Sequence, residues 1–167
     1  MVVYSASSYD DPLKKLILKK HYGDAHASYQ LGQIITSTLD LDFLKPDIII
    51  PVPLHWTRYA QRGFNQAEII AKVVGKKINK PVYNLFKRSR KTQLQAELTL
   101  AQRIENIAHA FAIKSRYHEC VKELLAGKTI LLVDDLYTTG ATIKSMAREL
   151  LPFKPAKIMV LVACRVL

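Results

Sequence analysis

Apolar residues alternate between short unbroken runs and helical periods along the chain. Val2–Ser5 has the make-up of a short strand. Asp11-Pro12 places a proline at the first position of a helix. After it, Leu13, Leu16, Ile17 and His21 share one face, with Lys14, Lys15, Lys19 and Lys20 mostly elsewhere. Tyr22-Gly23-Asp24 ends that helix, and Asp24 is placed to cap a second one over residues 25–39. Residues 47–53 contain the run Ile48, Ile49, Ile50, which suits a strand buried on both faces and halted by Pro51 and Pro53. A helix is predicted over 64–77, closed by Lys80-Pro81, and a strand over 82–87. Residues 88–100 are polar and weakly periodic, which predicts a long loop. Residues 101–109 read as helix, 129–133 as a strong strand, 141–150 as helix and 157–163 as a final buried strand. Strands alternating with helices predict one α/β domain over 1–167, with a mostly parallel sheet flanked by helices and a flexible basic loop. Such sheets bind ligands beyond the carboxyl ends of their strands.

Charge sharpens the picture. Lys and Arg number 25 against 14 Asp and Glu, a formal net charge of +11 in 167 residues. That balance favours polyanionic partners such as nucleic acid, nucleotides or pyrophosphate compounds. No apolar run is long enough for a bilayer, and residues 1–9 do not have the form of a secretory signal. A cytoplasmic location without membrane insertion is expected. Cys120 and Cys164 form no Cys-x-x-Cys pair, so they are expected as reduced thiols in or near the core. His21, His26, His109 and His118 have no metal-ligand spacing. No Ser-His-Asp or Cys-His nucleophile set is evident.

The chemistry concentrates in residues 130–142. The predicted strand runs into Asp134-Asp135, then Leu136-Tyr137-Thr138-Thr139-Gly140-Ala141-Thr142, and so into a helix. Free amides at a helix start, aided by the helix dipole, hold anions. Gly140 allows a close, left-handed turn. Hydroxyls of Thr138, Thr139 and Thr142 add donors for phosphate oxygens. Asp134 and Asp135 can accept from vicinal ribose hydroxyls and contact Mg²⁺ through water. The acids precede the turn and no lysine follows the glycine, so this is not the Gly-x-x-x-x-Gly-Lys phosphate loop.

This segment resembles the 5-phosphoribosyl-1-pyrophosphate (PRPP) signature of type I phosphoribosyltransferases. Further segments resemble one branch of that superfamily, the ComF family of competence proteins. They are Pro51-Val52-Pro53-Leu54, Arg58, Arg62-Gly63-Phe64-Asn65-Gln66, Arg88-x-Arg90-x-Thr92-x-x-Gln95, and Arg103-x-x-Asn106 followed by Phe111. The resemblance runs from about Tyr22 to the C-terminus. Many ComF proteins carry an N-terminal four-cysteine zinc module, which this sequence lacks.

The resemblance implies that Asp134 and Asp135 hold the ribose and that Thr138, Thr139, Gly140, Ala141 and Thr142 hold the 5′-phosphate. It implies that the loop after the Ile48–Ile50 strand binds pyrophosphate, with Arg58 and Arg62 supplying bidentate contacts. Lys87, Arg88, Arg90 and Lys91 fall where the family carries a flexible loop that closes over the site; a phosphate-backbone contact for single-stranded DNA is the other reading of this cluster. Arg103 and Asn106, one helical turn apart, would anchor that loop. His55 and Trp56 are expected to pack, with stacking of Trp56 on a base as the lesser reading.

The first expectation for function is a ComF-type protein that binds PRPP or a related ribose phosphate and acts in DNA uptake, handling single-stranded DNA with other competence-machinery proteins. The alternative is an active phosphoribosyltransferase of nucleotide metabolism that uses PRPP and Mg²⁺. A third reading is a PRPP or nucleotide sensor without turnover.

Overall fold

Ile48, Ile49 and Ile50 are all buried, and they lie in a strand with neighbours on both faces. The computed structural model describes residues 1–8, 25–88 and 110–166. Its main sheet has four strands: β1 (Val2–Ser8), β2 (Ile48–Pro51), β5 (Thr129–Tyr137) and β6 (Lys157–Arg165). Their order is β1-β6-β5-β2, and every pairing is parallel.

The twofold alternation of side chains divides the core between the two faces. Ile49, Leu131, Val133, Met159 and Leu161 face one cluster, covered by α1 (Ala25–Thr38) and α3 (Gln66–Lys77). These helices contribute Leu31, Ile35, Ile70 and Val74. Ile48, Ile50, Ile130, Leu132, Val160 and Val162 face the other, where α5 (Ala141–Leu150) contributes Ile143, Met146 and Leu150. The short α4 (Val121–Leu125) adds Val121 and Leu125 there. On the first face, α3 approaches the sheet so closely that a Cβ on Gly75 would lie 2.7 Å from Val82 Cγ2 and 2.8 Å from the Lys80 carbonyl. Only glycine fits at that spot.

The mostly parallel sheet flanked by helices is therefore as expected, and residues 141–150 form a helix as predicted. Four details differ. The 129–133 strand continues to Tyr137. Its neighbour β2 ends at Pro51, opposite Val133, but β6 goes on pairing as far as Tyr137↔Arg165. The 82–87 strand is displaced: Val82 makes only an isolated bridge to Ile49. The strand there is β3 (Phe86–Arg88), antiparallel to β4 (Phe111–Ile113) in a separate two-stranded sheet. Arg88 thus ends a strand instead of opening a loop. The 64–77 helix begins at Gln66 and is preceded by a separate helix, α2 (Trp56–Arg62). Cys164 is buried, but Cys120 is exposed on the surface. The helices expected over 11–20 and 101–109, and the loop beyond Arg88, lie outside the described residues.

Candidate functional site

The first wall of the site is the continuous segment from β5 to α5. Asp134 and Asp135 lie inside β5, past the end of β2, so the sheet opens on one side just where the carboxylates begin. Both are partly buried, and the Asp135 N–H donates to Asp134 Oδ1 at 2.9 Å. The turn that follows is set by Gly140, the residue before α5, at φ +71°. A Cβ there would collide with the Tyr137 ring and hydroxyl, so the glycine is needed both for its dihedral and for its missing side chain. Tyr137 is in turn covered by the Arg165 guanidinium, 5.5 Å from its ring centre. The Ala141 N–H points back to Thr139 Oγ1 at 3.4 Å, a weak contact, and Gly140 supplies no side-chain cap. The start of α5 therefore keeps donors for an anion.

The second wall comes from the chain after β2. Val52 donates its N–H to the Val133 carbonyl at 2.9 Å, which ties this wall to the first. His55 caps α2: its Nδ1 accepts from the Thr57 N–H at 3.3 Å and lies 2.8 Å from Thr57 Oγ1. Gly63, at φ +78°, closes the helix by donating to the Tyr59 carbonyl at 2.7 Å. Arg58 and Arg62, one turn apart, are thereby brought to the same pocket as Asp134 and Asp135. Asn65 Nδ2 donates to the Val52 carbonyl at 3.0 Å and so fixes the entry to α3.

Asp134, Asp135, Thr138, Thr142, Arg58 and Arg62 all line one polar pocket. Thr139, Gly140 and Ala141, also expected at the phosphate, are not among its lining residues; they form the turn and helix start between Thr138 and Thr142. Arg88 joins the lining from β3. Burial lowers the Arg88 guanidinium pKa, Arg58 lowers it further, and Asp134 pulls it back up. Arg62 follows the same pattern: burial first, then Arg58, with Asp135 opposing. Arginines stay charged despite such shifts. Burial is the larger cause in both, and an anion in the pocket would offset part of its cost by pairing with the two guanidinium groups.

Two features escaped the sequence. Gln66 is 2% exposed and lines the pocket, yet its Nε2 has no hydrogen-bond partner among the described residues. A buried donor beside an open pocket is a ready contact for a ligand oxygen. Its place in Arg62-Gly63-Phe64-Asn65-Gln66 was visible, but its burial was not. Trp56, expected to pack, is 67% exposed, whereas its neighbour His55 is buried as expected. Lys87 lies outside the polar pocket, in an adjoining groove. Arg90, Lys91, Arg103 and Asn106 lie outside the described residues. Among the described residues no cluster of three or more His, Cys, Asp or Glu could hold a metal, and no helix is long and apolar enough to cross a membrane.

A parallel sheet with an acidic strand end, a Thr-Gly turn and a helix start defines a class of protein. The family model for the phosphoribosyl transferase domain matches residues 20–166, and the chain belongs to that family. Within it, the chain groups with the ComF competence proteins. Competence protein ComFC of Bacillus subtilis (strain 168) is 31% identical over 151 residues, 88% of this chain and 57% of the relative. Competence protein F of Haemophilus influenzae is 32% identical over 106 residues, 63% of this chain and 44% of the relative. The DNA utilization protein YhgH of Escherichia coli (strain K12) is 30% identical over 123 residues, 73% of this chain and 51% of the relative. The chain thus spans about half the length of the curated relatives it matches. Among solved structures, the allosteric regulatory enzyme of purine biosynthesis aligns with TM-score 0.52 and 15% identity, over 81% of this chain and 25% of that one, a likeness of fold alone.

Proposed function

We propose that the polar pocket binds PRPP or a closely related ribose phosphate, and that the protein serves DNA uptake by handling single-stranded DNA in the cytoplasm. The observation that carries the first part is the convergence of Asp134, Asp135, Thr138, Thr142, Arg58 and Arg62 on one pocket. A ribose phosphate with a pyrophosphate at C1 presents three chemistries in a row. The amides and hydroxyls at the start of α5 suit the 5′-phosphate. The adjacent carboxylates suit two vicinal hydroxyls. Arg58, Arg62 and Arg88 suit the pyrophosphate. The donor set also fits Mg²⁺: Asp134 and Asp135 offer hard oxygen ligands at a site where phosphate oxygens would complete the shell. Bound there, the ion would neutralise pyrophosphate charge. The second part rests on the competence and DNA-utilization relatives together with the +11 charge. Other proteins of the competence machinery would be its partners.

The three arginines favour a second reading, phosphoribosyl transfer. A departing pyrophosphate gains charge as the bond to C1 breaks, and preorganised cations stabilise that charge. Asp134 and Asp135 would hold the ribose as C1 becomes cation-like, and a nitrogen nucleophile would take the pyrophosphate's place.

Calorimetry of PRPP with Mg²⁺ tests the site. The native chain is expected to bind, and Asp134→Asn/Asp135→Asn to lose at least about a hundredfold in affinity, since two charge-assisted contacts go. Equal binding by both would place the ligand elsewhere. Pyrophosphate release on adding a base or amine would convert the binding reading into the transfer reading.

A further inference from the structure

The helix α2 buries none of its seven residues. Its caps hold it, and it forms a ridge with two different sides. Arg58 and Arg62 face the polar pocket. Trp56 and Tyr59, three residues apart, line a second groove on the other side of the ridge. Trp56 is 67% exposed and Tyr59 50%. Single exposed apolar residues are common on protein surfaces. Two large aromatics side by side on a helix with no packing role are not explained in that way. The His55 ring lies 5.8 Å from the Trp56 ring, so one side of the indole is supported while most of it faces solvent.

Cations line the same groove: Lys87 and Arg88 come from β3, and Lys114 follows β4, the strand paired with it. Glu68 is the groove's acidic residue, and its charge is already engaged: it pairs with Lys72 Nζ at 2.9 Å and accepts from Asn84 Nδ2 at 2.8 Å. The groove also opens onto the polar pocket, since Pro53, Leu54, Asn65 and Arg88 line both.

Aromatic side chains and cations lining one groove match single-stranded nucleic acid, whose bases stack while its phosphates seek positive charge. A duplex hides its base faces, and an acidic peptide would satisfy the cations but leave the aromatics unused. We infer that this groove is the strand-binding surface: Trp56 and Tyr59 stack unpaired bases while Lys87 and Lys114 contact the backbone, beside the ribose-phosphate pocket. This deepens the DNA-handling reading above and rests on it only for the class of partner; it needs no PRPP.

Trp56 is the single tryptophan of the chain, so its fluorescence reports on this groove. The test titrates the native chain with a dodecamer of deoxythymidine, with an abasic strand of equal length and charge, and with oligoglutamate. The oligothymidine is expected to quench Trp56 and to bind about tenfold or more tighter than the abasic strand, the scale of one to two stacked bases. Trp56→Ala, followed by fluorescence anisotropy of labelled strand, is expected to weaken the strand about tenfold. PRPP affinity in the same variant should stay within about twofold, because Trp56 does not line the polar pocket. Tyr59→Ala provides a second, independent variant. Equal affinity for the oligothymidine and abasic strands, or no effect of either variant, would overturn the inference. Quenching by oligoglutamate alone would also overturn it and assign the groove to an acidic protein. PRPP calorimetry on the same sample separates the two ideas: PRPP binding without quenching sinks the groove and keeps the pocket, and quenching without PRPP binding does the reverse.

Discussion

The two walls of the polar pocket are built in opposite ways. The β5–α5 wall is one continuous stretch, with four fully buried residues from Ile130 to Val133 feeding its carboxylates. The α2 helix on the other wall buries none of its seven residues; its two end caps, the Asn65 tie to Val52, the Val52 tie to Val133 and the bridge between His55 and Arg88 position it. The first wall is preorganised by the core, whereas the second rests on a few hydrogen bonds and is expected to tighten when an anion joins its arginines. A phosphate-binding fold can thus keep a rigid ribose platform and leave the pyrophosphate side free to adjust.

Amide hydrogen exchange should differ most: the amides of α2 are expected to exchange at least about a thousandfold faster than those of Leu131–Val133, because local opening costs far less than global unfolding. Pyrophosphate or PRPP should slow α2 and leave β5 unchanged. Similar protection on both walls in the free protein would erase the distinction. Next comes Gly140→Ala. It forces a side chain into the left-handed region and against Tyr137, and should cost roughly 1–3 kcal/mol of stability. PRPP affinity should fall with it, by roughly tenfold, as the helix start moves. Arg58→Ala should weaken PRPP about tenfold in calorimetry with little change in melting temperature, since Arg58 is exposed and carries no packing.

The smallest effect is expected at Lys114. Burial lowers its pKa, Arg116 lowers it further, and Glu68 opposes them. For a lysine, a lowered folded pKa means that the native state disfavours the charged form. Lys114 therefore costs stability at neutral pH, and that cost fades as pH rises through the depressed folded value toward the ordinary 10.5. Lys114→Gln should leave thermal stability at pH 7 unchanged or slightly higher. The same variant should weaken single-stranded DNA by a few-fold, because one phosphate contact is lost.

What was legible follows the same division. Residues 130–142 were readable because strand, acids, turn and helix follow one another directly, so local chemistry and tertiary placement coincide. The buried triplet Ile48–Ile50 and the helix at 141–150 were readable from periodicity. The α2 helix was not: in seven residues Trp56, Tyr59 and Ala60 span barely one turn, too short to establish a period, and its caps, His55 and Gly63, carry little signal in isolation. The extension of β5 to Tyr137 depends on how far β6 runs beside it, which no local pattern contains. Arg88 looked like part of a basic loop because its neighbours in sequence are basic, while its position is set by pairing with Phe111 in β4. Gln66 was named in the family pattern, but its burial beside the pocket required the fold.

A crystal structure grown with PRPP and Mg²⁺ would show which side chains hold the ligand. The 5′-phosphate is expected at the start of α5 among Thr138–Thr142, the ribose hydroxyls on Asp134 and Asp135, and the pyrophosphate facing Arg58 and Arg62. Ligand bound away from Asp134 and Asp135, or a well-ordered chain with an empty pocket at saturating PRPP, would contradict this assignment.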